Sequence, residues 1–176
     1  MHFFMHTLGY SKQAKVHVGF DINRGILSKI FLTGGKEGER PFVNMNLSPG
    51  QTGVMDRGYQ CHKSSDRWQA EGIHFVCRIK ANTKKTCIQM NPIPADSIVF
   101  YDAIVLLGTP QVHQTHKELR VVGYRVDDVE YWVATDRRDL SAEQVPLVYK
   151  LRWQIEKFFA WWKCHLKVYH LIARTE

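Results

Sequence analysis

The stretch YKLRWQIEKFFAWWK, residues 149–163, has the periodicity of an amphipathic helix. Large apolar side chains recur every three or four residues, which predicts a core-facing stripe. The members of this stripe are Val148, Leu151, Ile155, Phe158, Phe159 and Trp162. A second arc of a continuous helix would bring four polar side chains within about 60° of one another. These four are Tyr149, Arg152, Glu156 and Lys163.

This second arc has two interpretations. One is a solvated helix face, whose charges form pairs with neighbours three or four residues away. The other is a metal-binding acid, Glu156, presented beside phosphate-binding side chains on the rim of a buried face. The helix by itself does not decide between the two.

Composition limits the class of protein. The chain has 176 residues, 44% of them hydrophobic and 23% charged, which indicates one folded domain rather than disorder. A net charge of +7 and a pI near 9.3 favour a polyanionic partner such as nucleic acid, although membrane-surface proteins can be as basic. The scattered cysteines and the lack of a secretory leader or long apolar run predict a cytoplasmic protein with no membrane span.

The remaining chain is rich in strand patterns. A hairpin is predicted from Lys15–Ile22 and Ile26–Thr33, and Thr52–Met55 is a short buried strand that delivers Asp56 at its end. Ser64–Glu71 has the pattern of a short helix. Further strands are predicted at His74–Lys80, Lys84–Met90, Ser97–Leu107, Leu119–Val126 and Val129–Thr135, with a tight turn at Asp127–Asp128. Patterning alone therefore predicts one domain of mixed α and β structure.

The start of the C-terminal helix has its own signals. Ser141 and Gln144 have the spacing of a capping box. Pro146 removes a backbone N–H within the first turns, so a kink or a restart of the helix is expected there.

The spacing Y-x2-R-x3-E-x6-K across Tyr149, Arg152, Glu156 and Lys163 resembles the signature of DDE transposases of the insertion sequence 4 group. The surrounding RRDLSAEQVPLVYKLRWQIEKFFAWWKCHLKVYHLIAR (137–174) is similar to the same family. SPGQTGVMDRGYQCHK (48–63) resembles the segment that carries the family's second acid, which places Asp56 at that position. The resemblance extends from about Lys15 to the C-terminus.

The resemblance implies an α/β, ribonuclease-H-like catalytic core. Residues 1–176 would form a single partial catalytic domain, with a partial core sheet at 12–82, a β-rich insertion at 83–136 and a C-terminal catalytic helix region at 137–176. The implied substrate is double-stranded DNA at transposon ends and targets, cut and joined with Mg²⁺ or Mn²⁺. Asp56 and Glu156 would be catalytic metal ligands, and Tyr149, Arg152 and Lys163 would contact DNA. A homodimer of the intact protein and a location at the bacterial nucleoid are also implied.

One departure from the family pattern affects activity. The family's first acid lies on the first core strand, yet MHFFMHTLGYSKQA (1–14) contains no acid, and Asp21 matches the second strand instead. We therefore expect a chain that is truncated at both ends, lacks its first core strand and is inactive alone. The alternative is a non-catalytic DNA-binding remnant that interferes with a full-length transposase. A basic RNA-binding protein is a third possibility.

Other candidate sites are weaker. A zinc site from His113 and His116, or from Cys61 with His62, lacks further spaced ligands. The spare carboxylates Asp102 and Asp136 are interpreted as strand-end or turn residues. The off-stripe tryptophans Trp153 and Trp161 either pack against the insertion, which we favour, or bind DNA.

Overall fold

A computed structural model describes residues 2–9, 14–34 and 41–166. Nine strands of these residues form one sheet in the order β3-β2-β1-β4-β5-β9-β8-β7-β6. The strands are β1 (His2–Gly9), β2 (Ala14–Asp21), β3 (Ile26–Gly34), β4 (Thr52–Met55), β5 (His74–Arg78), β6 (Lys85–Met90), β7 (Val99–Leu107), β8 (Leu119–Val126) and β9 (Val129–Thr135). The α-helices are α1 (Pro41–Asn46), α2 (His62–Ala70), α3 (Gln144–Lys150) and α4 (Trp153–Leu166).

The first half of the sheet is mixed. β1, β2 and β3 form an antiparallel meander, β4 lies parallel to β1, and β5 lies parallel to β4. Asp21 closes the β2–β3 turn, because its buried carboxylate accepts the backbone N–H groups of Asn23 (3.0 Å) and Arg24 (3.3 Å). This structural role agrees with leaving Asp21 out of the predicted site.

The expectation that the first core strand is absent is wrong. His2–Gly9 forms β1, which pairs with β2 on one side and with β4 on the other. The histidines within MHFFMHTLG weaken the strand pattern of this segment. Pairing with β2 and β4 satisfies the backbone hydrogen bonds of β1 whatever its side chains are. The sheet of the described residues therefore includes β1, from His2 onward.

The second half of the sheet is antiparallel. β6 to β9 follow one another as a meander, and β9 pairs with β5, so the strands of the predicted insertion continue the core sheet. Their bounds match the predicted strands to within two residues. Asp127 and Asp128 join β8 to β9 with φ of 48° and 61°, the left-handed conformation that a two-residue hairpin turn requires. The predicted tight turn is confirmed.

Helices cover both faces of the sheet. Neighbouring strand residues alternate between two buried clusters, because successive side chains point to opposite faces: Met55 packs with Trp68 of α2, and Val54 packs with Ile155 of α4. Ile155 and Phe159 are buried, which confirms the predicted apolar stripe. In the described part of the chain, no helix is long and apolar enough to cross a bilayer.

The C-terminal helix is divided in two. The capping box is confirmed, since the N–H of Ser141 donates to Gln144 Oε1 (2.7 Å) and the N–H of Gln144 donates to Ser141 Oγ (3.2 Å). Pro146 lies in the first turn of α3, where no intrahelical bond is lost, so the kink predicted there is wrong.

The division falls instead at Leu151 and Arg152. Hydrogen bonds three residues apart tighten the chain at this junction, including Arg152 N–H to Tyr149 O at 3.0 Å. Tyr149 therefore belongs to α3 and Glu156 to α4, and the single continuous helix of the sequence prediction is wrong.

Candidate functional site: two acids joined by a tyrosine and an arginine

Asp56 stands where β4 ends and a 3-10 turn (Arg57–Tyr59) begins. Its Oδ1 accepts the N–H of Arg57 at 2.7 Å, so the side chain caps that turn. The chain turns away from the sheet directly after the acid. A partly buried carboxylate is thereby fixed at the end of a buried strand.

Tyr149 reaches Asp56 from α3. The Tyr149 hydroxyl donates to Asp56 Oδ1 at 3.3 Å, and the residue is only 4% exposed. Burial raises the pKa of Tyr149; Arg152 opposes this shift and the Asp56 charge adds to it. The phenol therefore keeps its proton and acts as a hydrogen-bond donor to the acid.

Arg152 connects the tyrosine to the second acid. Its Nη1 donates to Glu156 Oε1 at 2.6 Å, and its guanidinium carbon lies 5.7 Å from the centre of the Tyr149 ring. Burial lowers the pKa of Arg152, but Tyr149 and the hydrogen bond to Glu156 more than offset this, so the net pKa is raised. The cation remains charged although it is 9% exposed.

Asp56, Tyr149, Arg152 and Glu156 thus form one group of contacting side chains, which we call the acid centre. Sequence analysis selected all four residues. It placed Tyr149 and Arg152 either on a solvated helix face or on the rim of a buried face, however, whereas both are buried and engage the carboxylates. The Nε of Arg152 is buried without a partner in the described structure. Direct DNA contact by Tyr149 and Arg152 stays a prediction.

Lys163 lies in α4, seven residues after Glu156. Its side chain lies outside the part that the structure describes, so its predicted contact with DNA also stays a prediction.

The acid centre supplies two carboxylates for a cation. No group of three or more His, Cys, Asp or Glu side chains among the described residues is arranged to hold a metal ion. β1, the parallel neighbour of β4, has the sequence HFFMHTLG and contributes no acid. Among the described residues, the acid centre therefore offers Mg²⁺ or Mn²⁺ two carboxylates and lacks the family's first acid.

The residues proposed for a zinc site also fall short of a set of three ligands among the described residues. His62 and His113 stack with ring centres 5.4 Å apart, and His62 Nδ1 bonds to the backbone oxygen of His113 at 2.6 Å. Cys61 adjoins this pair, but these residues do not form a metal-holding group in the described structure.

The spare carboxylates have structural roles. Asp102 lies within β7 rather than at a strand end, so that interpretation is wrong; it is fully buried and accepts Arg120 Nε at 2.9 Å and Nη2 at 2.5 Å. Asp136 follows β9, as interpreted, and accepts His74 Nδ1 at 2.7 Å.

The two off-stripe tryptophans do not pack against the strands of the insertion. Trp153 is 57% exposed and Trp161 is 55% exposed, so the expected packing is wrong. The ring of Trp161 contacts neighbours within α4, with its centre 6.2 Å from that of Phe158 and 4.6 Å from that of His165.

Comparison with known proteins identifies relatives of this chain by sequence. A probable transposase for insertion sequence element IS5377 from Geobacillus stearothermophilus is 28% identical over 92% of this chain and 44% of its own length. A putative transposase for insertion sequence element IS4SA from Synechocystis sp. is 29% identical over 98% of this chain and 49% of its own length. The chain thus spans somewhat less than half the length of these curated relatives.

The family model described as "Transposase DDE domain" matches residues 6–176, a range that contains both acids and the whole described sheet except the first residues of β1. The mixed α/β sheet is consistent with a ribonuclease-H-like domain of this kind. The chain therefore belongs to the transposase DDE-domain family.

Proposed function

We propose that the chain is a transposase-derived domain that binds double-stranded DNA and does not cut it unaided. Its lineage would perform metal-dependent strand cleavage and transfer at insertion-sequence ends in the bacterial cytoplasm, with two ends paired by a homodimer of the intact protein. Family membership supports the DNA-binding part of this proposal. The acid centre supports the absence of unaided cutting, because its side chains contact one another but contribute only two carboxylates.

Asp56 and Glu156 are proposed as two of the ligands for Mg²⁺ or Mn²⁺ in the lineage. Carboxylate oxygens are the ligands that such hard cations prefer. Tyr149 and Arg152 orient the two carboxylates through the hydrogen bonds at 3.3 Å and 2.6 Å. We assign no chemical step to a metal here, because the described residues do not complete its site.

Arg152, Tyr149 and Lys163 are proposed as contacts to DNA phosphates. An arginine presents a planar fork of donors that suits a phosphate. In the structure the charge of Arg152 is compensated by Glu156 at 2.6 Å. The availability of this cation to DNA should therefore depend on the charge of Glu156.

We expect Glu156→Gln to strengthen DNA binding. Removing one carboxylate charge beside Arg152 should raise affinity about three- to tenfold at low salt and steepen the dependence of log K on log salt by up to about one unit. Fluorescence anisotropy with a labelled duplex, at several salt concentrations, measures both quantities. Unchanged or weaker binding would contradict the expected effect.

The matched control is the double variant Arg152→Ala/Glu156→Gln. If the higher DNA affinity of Glu156→Gln comes from the guanidinium of Arg152, the double variant should not show it. Competition with structured RNA in the same assay tests the choice of nucleic acid, and preferential displacement of the duplex by RNA would favour the RNA-binding interpretation.

Interference with a full-length relative is the second candidate function. The incomplete set of acids favours it, because a chain that occupies transposon ends without cutting them would block the active enzyme. Added chain should then lower the rate at which a full-length transposase cuts its own ends, and Arg152→Ala/Lys163→Ala should lower this inhibition.

A further inference from the structure

We propose that a basic cleft beside Asp56 is a second DNA-binding site, which holds phosphodiester groups of the strand that reaches the acid centre. This inference rests on the proposed DNA-binding function and locates part of the DNA path. The cleft has a volume of about 720 Å³. Four cationic side chains line it, and we call this set the basic cleft: Arg57, Lys63, Lys80 and Lys84.

The charge of the cleft is not compensated. All four cations are exposed, and none of them forms an ion pair with another described residue. No aspartate or glutamate is among the residues that line the cleft. Asp66 lies in the same helix as Lys63, but its two oxygens accept the N–H groups of His116 and Lys117 at 2.9 Å each, and it forms no ion pair with the four cations. A concave surface with one sign of charge attracts and concentrates polyanions.

One wall of the cleft is held by Gln60. Its Oε1 accepts the N–H of Lys80 at 2.9 Å, and its Nε2 donates to Thr83 Oγ1 at 3.0 Å. Lys85 braces the same loop by donating to the backbone oxygens of Ala81 and Thr83 at 2.9 Å each. The loop that carries Lys80 and Lys84 is thereby fixed to the turn that follows Asp56.

The opposite wall is held by His62 and Gly108. His62 Nδ1 bonds to the backbone oxygen of His113, and Gly108 has a φ of +110°. A Cβ at position 108 would lie 2.4 Å from that same oxygen, so only glycine allows this approach. A cleft with both walls braced is preformed, which lowers the ordering cost of binding.

The cleft adjoins the acid centre. Arg57 lines it and directly follows Asp56, to which its backbone N–H is bonded. The first turn of α2 also lines it, through His62 and Lys63. The partial positive charge at a helix N-terminus adds to the attraction for phosphate. A DNA strand with one phosphate at Asp56 would therefore find cations for its neighbouring phosphates.

The test compares two triple variants of the full chain that each remove three positive charges. Lys63→Ala/Lys80→Ala/Lys84→Ala removes three of the four cations of the cleft and leaves Arg57, and Arg24→Ala/Arg125→Ala/Arg138→Ala removes three exposed cations elsewhere. The cleft variant should lose at least about tenfold in duplex affinity at 0.1 M salt, and its salt slope should fall by about two to three units, as expected for lost phosphate contacts. The control variant should lose less than about threefold, because its arginines lie outside the cleft and are already paired with Asp21, Glu130 and Glu118.

Equal losses in the two variants would overturn the inference, as would a cleft variant with an unchanged salt slope. In a further arm, inorganic phosphate replaces chloride at constant ionic strength. Displacement of the duplex by millimolar phosphate would assign the cleft to a small anion instead. If Arg152→Ala weakens binding but the cleft variant does not, the cleft inference fails alone; if the parent chain binds no DNA, the proposed function fails with it.

Discussion

Replacing His6 by aspartate is expected to strengthen Mn²⁺ binding at the acid centre. The parallel register pairs His2 with Thr52 and Phe4 with Val54. Continued by two residues along both strands, this register places position 6 beside Asp56. Positions that are level on neighbouring parallel strands lie on the same face of the sheet. A carboxylate at position 6 would therefore join Asp56 and Glu156 as a third acid.

The measurement is Mn²⁺ affinity by electron paramagnetic resonance. We expect His6→Asp to tighten binding by at least about tenfold, because affinity for such ions increases with the number of charged ligands. His2→Asp is the matched control, since it adds the same charge to β1 beside Thr52 instead. An equal increase in Mn²⁺ affinity for His6→Asp and His2→Asp would contradict the argument from strand register. So would an increase for His6→Asp that remains when Glu156→Gln is added.

Arg120→Ala is expected to destabilise the fold by about 3–5 kcal/mol, because it leaves the carboxylate of Asp102 buried without its cation. Asp102 is fully buried and Arg120 is 7% exposed. Arg120 also donates to the backbone oxygen of Leu140, which connects the sheet to the segment before α3. A loss of this size is a large share of the stability of a single domain.

Urea denaturation measures this loss, provided that the slope m is unchanged. Arg125→Ala is the control, because the exposed Arg125–Glu130 pair at 2.7 Å should contribute about 1 kcal/mol or less. Similar losses for the two variants would contradict the assignment of Asp102 and Arg120 as a buried structural pair.

The strands were predictable because each carries its own pattern of apolar residues. The predicted bounds of β6, β7, β8 and β9 required only local information. β1 was missed because its local pattern is weak and its place depends on pairing with β2 and β4. Strand order is a tertiary property, and a short alternating segment does not specify its partner.

The site was predictable in its members but not in its contacts. Asp56 and Glu156 were selected through the family resemblance, and the apolar stripe fixed the side of α4 that faces the core. The junction at Leu151 and Arg152 depends on how α3 and α4 dock, so the burial of Tyr149 had no signal in the sequence. The basic cleft draws its lysines from separate segments, each of which has the pattern of an ordinary solvated loop.

The buried pair of Asp102 and Arg120 was also not predictable from local sequence. Its ion pair joins β7 to β8, eighteen residues apart in sequence. No local pattern distinguishes such a pair from a carboxylate at a strand end, and only the register of the two strands brings the charges together.

The most direct measurement is a nicking assay on the purified 176-residue chain. The substrate is a supercoiled plasmid that carries the sequences flanking the gene for this chain. It is incubated with the chain and Mg²⁺ or Mn²⁺, under conditions where fluorescence anisotropy shows the DNA to be bound. We predict no more nicked circle with the parent chain than with Asp56→Asn. Metal-dependent nicking by the parent chain that Asp56→Asn abolishes would contradict this account, because it would show a complete active site.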